Sequence, residues 1–428
     1  MTLPVNADML TGLSEAPVPA RPSTGHNSAG HNSAGHNRAG HNGPAQVMAY
    51  YFPQWHTDPR NDAMFGPGWT EWDVLRAGHP RFPGHVQPKR PMGGEYDESD
   101  PSVAAATVAR ALDHGVDGFI VDWYWFDNAP FLNGALDRGI LHADRLDEFQ
   151  FALMWANHEW TDLYPAHHPN PTVMLPAPNS RYHAQCAFTH LIENSLGHPS
   201  YWRVDGAPYF SIYDLPGLVR GMGGMGEAAK LLDWFREQAH SAGLPGLHLN
   251  GAVNFGVPEK ARLVAQLGLD SATHYTWWHH AGDAFKTFPT VDYDAVHAEA
   301  RQEWRRMTVE LPVAYLPNVT VGWDPSPRTT DWELDADRGY PFTSIMTGNT
   351  PERFGAAMRD ALAFVQAEGS SGVVTINAWN EWTEGSYLAP DEQYGDGYLR
   401  AVDAAVRAAR TAENRETDVE GPAWTAGR

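Results

Sequence analysis

The run Val373-Val374-Thr375-Ile376-Asn377-Ala378 lies between two stretches of helical pattern, Pro351–Glu368 before it and Tyr398–Thr411 after it. A short β-branched run set between helices reads as a buried strand of a parallel sheet, because parallel neighbours need a crossover to join them. The same alternation recurs toward the N-terminus. Strand-like runs lie at Val47–Phe52, Gly118–Trp123, Phe151–Trp155, Pro208–Tyr213, Leu247–Val253, Ser271–Thr276 and Val313–Val319, making eight with the first. Helical patterns lie at Pro101–His114, Ala129–Leu141, Arg181–Asn194, Gly226–Ala242, Pro258–Leu267 and Val296–Met307. Ser99-Asp100-Pro101 and Asn349-Thr350-Pro351 each set a capping side chain just before a proline, which marks a helix start. Eight such units with no second block of composition predict an α/β fold with one closed parallel sheet, a (β/α)8 TIM barrel, rather than an open sheet.

Composition agrees with one large folded unit. Hydrophobic residues make up 42% and charged residues 19% of the chain, as expected for a globular protein with a sizeable core. The barrel is expected over residues 46–415, between tails over 1–45 and 416–428. In the first tail His26, His31, His36 and His41 each stand between Gly and Asn; the small polar surroundings read as a flexible segment rather than a metal site. With 30 Lys and Arg against 52 Asp and Glu, the formal net charge is -22, a field that repels a phosphate backbone and argues against a nucleic-acid partner. Cys186 is the one cysteine, so no internal disulfide or thiolate cluster can form. Met1 to Pro22 lack the basic start and apolar core of a secretion signal, and no later run is long enough to span a bilayer. A cytoplasmic protein without membrane insertion is therefore expected.

In a barrel, catalytic groups project from the C-terminal ends of the strands. After the eighth strand comes Asn377-Ala378-Trp379-Asn380-Glu381-Trp382-Thr383-Glu384-Gly385. Two carboxylates three residues apart can converge on one small volume, and cleavage of a glycosidic bond needs such a pair. Glu381 and Glu384 are thus the expected catalytic residues. The other strand ends are rich in aromatic and amide groups, which suit the faces and hydroxyls of a sugar. The expected sugar-binding set is Tyr51, Gln54, Trp55, His56 and Trp72 from the first loop, then Asp122, Tyr124 and Trp125, then Asn157 and Glu159, then Tyr213, His274, Tyr275 and Trp323, and finally Asn380 and Trp382. His279 and His280 read as loop residues rather than a metal pair, since adjacent side chains of an extended segment diverge, and Arg328 reads either as a structural partner for Asp324, the favoured alternative, or as a substrate-binding residue. Neither a metal nor a cofactor is expected; the expected partner is a polysaccharide or oligosaccharide substrate.

From Met48 to Ala405 the chain resembles the glycoside hydrolase family 99-like proteins, including the WbsX-like proteins of bacterial polysaccharide biosynthesis. The likeness rests on Tyr51-Phe52-Pro53-Gln54-Trp55-His56, Trp69-Thr70-Glu71-Trp72, Phe82-Pro83-Gly84-His85-Val86-Gln87-Pro88, Asp117-Gly118-Phe119, Tyr124-Trp125-Phe126, Trp155-Ala156-Asn157, Gly322-Trp323-Asp324 and the motif around Glu381. It implies a (β/α)8 barrel and retaining, endo-acting cleavage of α-mannosidic bonds. It also implies Glu381 as the base that deprotonates a sugar 2-hydroxyl and Glu384 as the acid/base. The chain departs from its relatives where they carry Asn-Glu-Asn and it has Asn157-His158-Glu159, where their arginines give way to Asp162 and Leu163, and where Leu-Glu-Pro becomes Leu388-Ala389-Pro390. Two alternatives stand beside a glycosidase. A WbsX-like glycosyltransferase would use a sugar nucleotide, for which the sequence has no Rossmann glycine fingerprint. A non-catalytic carbohydrate-binding protein would need the aromatics but not both carboxylates.

Removing residues up to Pro44 is expected to leave the thermal unfolding transition in place, because no periodic apolar pattern there can bury surface; loss of the transition, or stoichiometric metal binding that raises the melting temperature, would contradict the reading.

Overall fold

The computed structural model describes residues 45–419 except 168–170, 255–258, 281, 330–331 and 368–371. The expected N-terminal tail therefore lies outside the described residues save for its last one. Eight barrel strands run in chain order: β1 (Gln46–Tyr51), β2 (Gly118–Phe126), β3 (Gln150–Trp155), β4 (Ala207–Ile212), β5 (His248–Ala252), β6 (Ser271–Thr273), β7 (Ala314–Leu316 and Asn318–Thr320) and β8 (Val373–Asn377). Each pairs in parallel with its neighbour. The helices that follow are α1 (Pro101–Asp113), α2 (Arg181–Asn194), α3 (Met225–Ser241), α4 (Lys260–Leu267), α5 (Tyr293–Glu310), α6 (Pro351–Ala367) and α7 (Gly397–Val419). The last runs past residue 415, so the expected domain boundary falls inside it.

The barrel closes through β7. Pro317 has no N–H to give to a ladder, and it divides the run expected at Val313–Val319 into two halves. Ala314–Leu316 pairs with β6 and Asn318–Thr320 pairs with β8, while the Pro317 carbonyl still accepts from Thr375 N at 3.0 Å. Part of the interior is polar, and several of its side chains are hydrogen-bonded: Ser211 donates to Asn250 Oδ1 at 2.8 Å, Asn250 to Ser271 Oγ at 2.9 Å, and Asn318 to Thr375 Oγ1 at 3.2 Å.

The helix expected over Ala129–Leu141 is not formed. Asp127 and Asn128 both take positive φ, 51° and 58°, which turns the chain back as a tight hairpin. Ala129–Phe131 then pairs antiparallel with the end of β2. Only a π turn over Ala135–Gly139 and a 3-10 turn over Ile140–His142 follow. The hairpin carries the extended β2 to the rim beside the site.

At the start of β2, Gly118 is squeezed between β1 and β3: a Cβ there would lie 2.5 Å from the Gln150 carbonyl oxygen and 2.6 Å from Met48 Cε. Gly118→Ala should lower unfolding free energy by about 1–3 kcal/mol, the usual cost of overpacking, read from a urea titration.

Candidate active site

One pocket opens where the strands end, enclosing about 690 Å³ with its mouth included, within the usual size of a small-molecule site. β1 gives it Phe52, β2 gives Asp122 and Tyr124, and the loop after β3 gives His158 to Thr161, Leu163 and Tyr164. Tyr213 follows β4, Tyr275, Thr276, Trp278 and His279 follow β6, Trp323, Arg328 and Tyr340 follow β7, and Glu381 and Glu384 follow β8. Trp278 and Trp323 stack with ring planes 6° apart and centroids 4.8 Å apart, a flat aromatic wall. Tyr164 and Tyr340 are seated on a small separate core of Leu163, Ala166, Trp332 and Phe342.

At the centre Arg328 is surrounded by carboxyls. Its Nη1 lies 2.7 Å from Glu384 Oε1, its Nη2 lies 2.8 Å from Glu71 Oε1, and the same Nη2 stands 3.8 Å from Glu381 Oε1. Its Nε is shared between Glu71 Oε1 and Thr383 Oγ1, at 3.1 and 3.0 Å. Tyr340 donates its hydroxyl to Glu384 Oε1 at 2.5 Å and also meets Arg328 Nη1. The side chains of Arg328, Glu71, Glu381 and Glu384 are all 7% exposed or less, so these contacts replace water rather than compete with it.

Glu381 takes its own partners, Tyr275 Oη at 3.3 Å and Asn377 Nδ2 at 3.4 Å, both at Oε2. Burial, then the charge of Glu384, hold its carboxyl well above the usual range, against the pull of Arg328. Asp122 is likewise held well up by burial, although Tyr275 donates to it at 2.8 Å. Burial also raises Glu71, with Arg328 opposing, and keeps His279 well below its ordinary value, hence neutral. Among the described residues, no group of three or more His, Cys, Asp or Glu side chains is arranged to hold a metal ion.

Of the residues expected to bind sugar, Asp122, Tyr124, Glu159, Tyr213, Tyr275 and Trp323 line the pocket with both glutamates. The others stand behind it. Asn380 is locked to the backbone of Phe52, accepting from its N at 2.8 Å and donating to its O at 2.9 Å. Glu98 accepts from Trp55 N at 2.7 Å and meets His56 Nδ1 at 2.8 Å. Tyr51 packs on Phe119, Trp55 on Trp72, Trp125 beside His190, and Trp382 on Tyr387, while Gln54 is wholly buried. Asn157 bridges loops, donating to Asn179 Oδ1 at 2.8 Å and to Asp214 O at 2.9 Å and accepting from Asp214 N at 2.7 Å. His274 turns toward the helices, 2.7 Å from Tyr315 Oη and 3.3 Å from Lys260 Nζ. These residues are walls and braces of the site, because alternate side chains at a strand end face opposite ways.

One reading is corrected. Arg328 does not pair with Asp324; that carboxylate is held by His85 Nε2 at 2.7 Å, Gln87 Nε2 at 2.6 Å and Ser326. Although burial works the other way, the His85 bond and charge bring the Asp324 carboxyl down to about 2. His279, expected in a loop, lies in the loop after β6, where a 3-10 turn over Trp277–His279 folds it against Tyr213 and into the pocket lining. Phe52, Tyr164 and Tyr340 also belong to the pocket and were missed. Tyr340 lies in an irregular segment with no periodic signal. For Arg328 a signal existed, since a mouth so rich in carboxyls calls for a cation.

Residues 47–402 match the family model described as Glycosyltransferase WbsX. The protein WxcX of two strains of Xanthomonas campestris pv. campestris, itself called uncharacterized, is 29% identical over 391 residues, 85% of this chain and 50% of the relative. The chain thus spans about half the length of these curated relatives. Among solved structures, the glycoside hydrolase family 99 endo-alpha-mannosidase from Bacteroides thetaiotaomicron aligns with TM-score 0.55 at 16% identity, over 86% of this chain and 98% of that one. A glycoside hydrolase-like protein aligns with TM-score 0.55 at 15% identity, over 85% and 94%. At such identities the likeness is one of fold. No described helix is long and apolar enough to cross a membrane.

Asn157→Ala would strand the buried Asp214 N–H and the Asn179 amide. It should cost about 1–3 kcal/mol in a denaturant titration, whereas Glu159→Ala on the exposed rim should stay within about 0.5 kcal/mol of the parent.

Proposed function

We propose, from the premise that this chain belongs to the WbsX family, that it hydrolyses a glycosidic bond in a polysaccharide or oligosaccharide with retention, using Glu381 and Glu384. The observation that carries the reading is the pairing of these two buried carboxyls in one pocket whose single lining cation among the described residues, Arg328, is already engaged by Glu71 and Glu384. A sugar nucleotide would bring a diphosphate against Asp122, Glu381 and Glu384 with no unengaged arginine or lysine to meet it, and like charges in a site of low dielectric repel strongly. An uncharged sugar meets hydroxyl, imidazole and carboxyl groups for its hydroxyls and the Trp278–Trp323 wall for its ring.

The steps follow those implied by the family likeness. Glu381 takes the proton of the sugar 2-hydroxyl, and that oxygen attacks the anomeric carbon. The bond to the leaving oxygen breaks as Glu384 gives that oxygen a proton, leaving a 1,2-anhydro sugar. Glu384 then takes a proton from water, the water oxygen opens the anhydro ring at the anomeric carbon, and Glu381 returns its proton to the 2-oxygen. Two inversions at one carbon give net retention, and both carboxyls end in their starting states. A substrate with a free 2-hydroxyl is required. The family's description as a glycosyltransferase favours one variant of the scheme, in which a sugar hydroxyl replaces water in the second half.

Glu381→Gln and Glu384→Gln should each leave a folded protein with turnover on the natural glycan reduced by about a thousandfold or more. Glu384→Gln should still cleave a substrate whose leaving group needs no proton, whereas Glu381→Gln should fail on both. Product analysis by mass spectrometry separates hydrolysis from transfer, and near-parent turnover by either variant removes that residue from the chemistry.

A further inference from the structure

Asp122, Glu381 and Glu384 line the pocket and Glu71 stands behind it; one guanidinium faces Glu71, Glu381 and Glu384, while Asp122 accepts from Tyr275. Glu71 comes from the loop after β1, Arg328 from the loop after β7, and the glutamate pair from the loop after β8. Glu71 is wholly buried, and its Oε1 accepts from Arg328 Nε, Arg328 Nη2 and Thr383 Oγ1. That leaves Nη1 aimed at Glu384 and the outer side of Nη2 toward Glu381. The guanidinium also packs against two rings, with its carbon 5.5 Å from the Phe52 centroid and 5.6 Å from that of Tyr164. A planar fork bonded along its edges and packed against rings is held in a defined orientation.

We propose that Arg328, seated by Glu71, is the positioning residue of the carboxyl pair: it holds Glu384 by a direct hydrogen bond from Nη1, which the protonated acid accepts as well as the carboxylate, and supplies the positive charge that allows Glu381 to ionise beside it. The proposal rests on the hydrolytic reading above. Two carboxyls that share a site cannot both ionise unless a cation offsets them, and the scheme needs Glu381 as a base. The charged groups that act on Glu381 are Glu384, Arg328, Asp122 and Glu71. Facing it are Tyr124, Tyr164, Tyr213 and Tyr275, whose hydroxyls burial keeps protonated, and His279, which burial keeps neutral. Arg328 is thus the one group among these that favours the Glu381 carboxylate by charge, while Glu71 opposes it.

The signs give a test that a merely structural role would not pass. The acidic limb of kcat/KM reports ionisation of the base in the free enzyme. Arg328→Met removes the favourable charge, so the limb should move up by about one pH unit or more, with kcat lowered about 10- to 100-fold and KM little changed. Arg328→Lys keeps the charge without the fork; its limb should stay near that of the parent while kcat falls. Glu71→Gln keeps an acceptor for Arg328 but removes the opposing charge, and its limb should move down. Folding is checked by thermal melting of each variant. An unmoved limb in Arg328→Met, or an unmoved or upward limb in Glu71→Gln, overturns the proposal, and Glu71→Gln decides alone if Arg328→Met does not fold. Near-parent turnover of Glu381→Gln would instead overturn the hydrolytic reading itself.

Discussion

Among the described residues, the Arg328 guanidinium is the one cation lining the pocket, held between Glu71 behind the wall and the buried carboxyls of Glu381 and Glu384. Burying an ion is costly unless partners replace its water, and removing one partner leaves a stranded charge. Here each partner comes from a different part of the chain. Glu71 lies 257 residues before Arg328 and Glu384 lies 56 after it. The ion pairs therefore knit together the loops after β1, β7 and β8, which meet only because the barrel closes. Closure in turn runs through β7, whose two halves around Pro317 reach β6 on one side and β8 on the other.

The same arithmetic of charge shapes what the pocket can accept. Arg328 donates to Glu71, Glu384, Thr383 and Tyr340, and its remaining Nη2 edge faces Glu381 at 3.8 Å. An anionic ligand would have to compete with those carboxyls for it. An uncharged ligand asks for no such exchange. The hydroxyl and carboxyl oxygens and the stacked Trp278–Trp323 wall can replace the water that such a ligand gives up.

The fold was legible because strand runs and helix patterns alternate strongly, and each of the eight expected strands overlaps an observed one. The exception, Ala129–Leu141, had apolar spacing that suited a helix, but Asp127 and Asn128 adopt a turn that reversed the chain first. That Glu381 and Glu384 share one pocket was legible from their spacing and their place after the last strand. That Trp55, His56, Asn157 and Asn380 stand outside its lining was not, since a sequence shows which groups stand at a strand end but not which way they face. Arg328 was assigned to Asp324, its near neighbour in sequence. Its true partners are distant in the chain, and the nearby carboxylate was taken by His85 and Gln87.

The placement of the motif residues bears on specificity. Those that carry the family resemblance at Tyr51, Trp55, His56, Trp72, Asn380 and Trp382 brace the carboxyl-bearing turn from behind through Glu98, Tyr96 and one another. They form a frame behind the pocket wall that constrains where the glutamates sit. Of the departures from that pattern, His158, Glu159 and Leu163 line the pocket, whereas Asp162 and Ala389 do not. Where relatives carry a glutamate and an asparagine this wall has an imidazole and a carboxyl, and where they carry an arginine it has an apolar side chain. Under the proposed reading, exchanging hydrogen-bonding groups at the pocket rim discriminates among sugars more sharply than adding or removing apolar bulk. Phe52, Tyr124 and Trp323 of the shared motifs line the same pocket, so the departures change only part of the wall. A mannosidic substrate does not follow from the shared carboxyl motif.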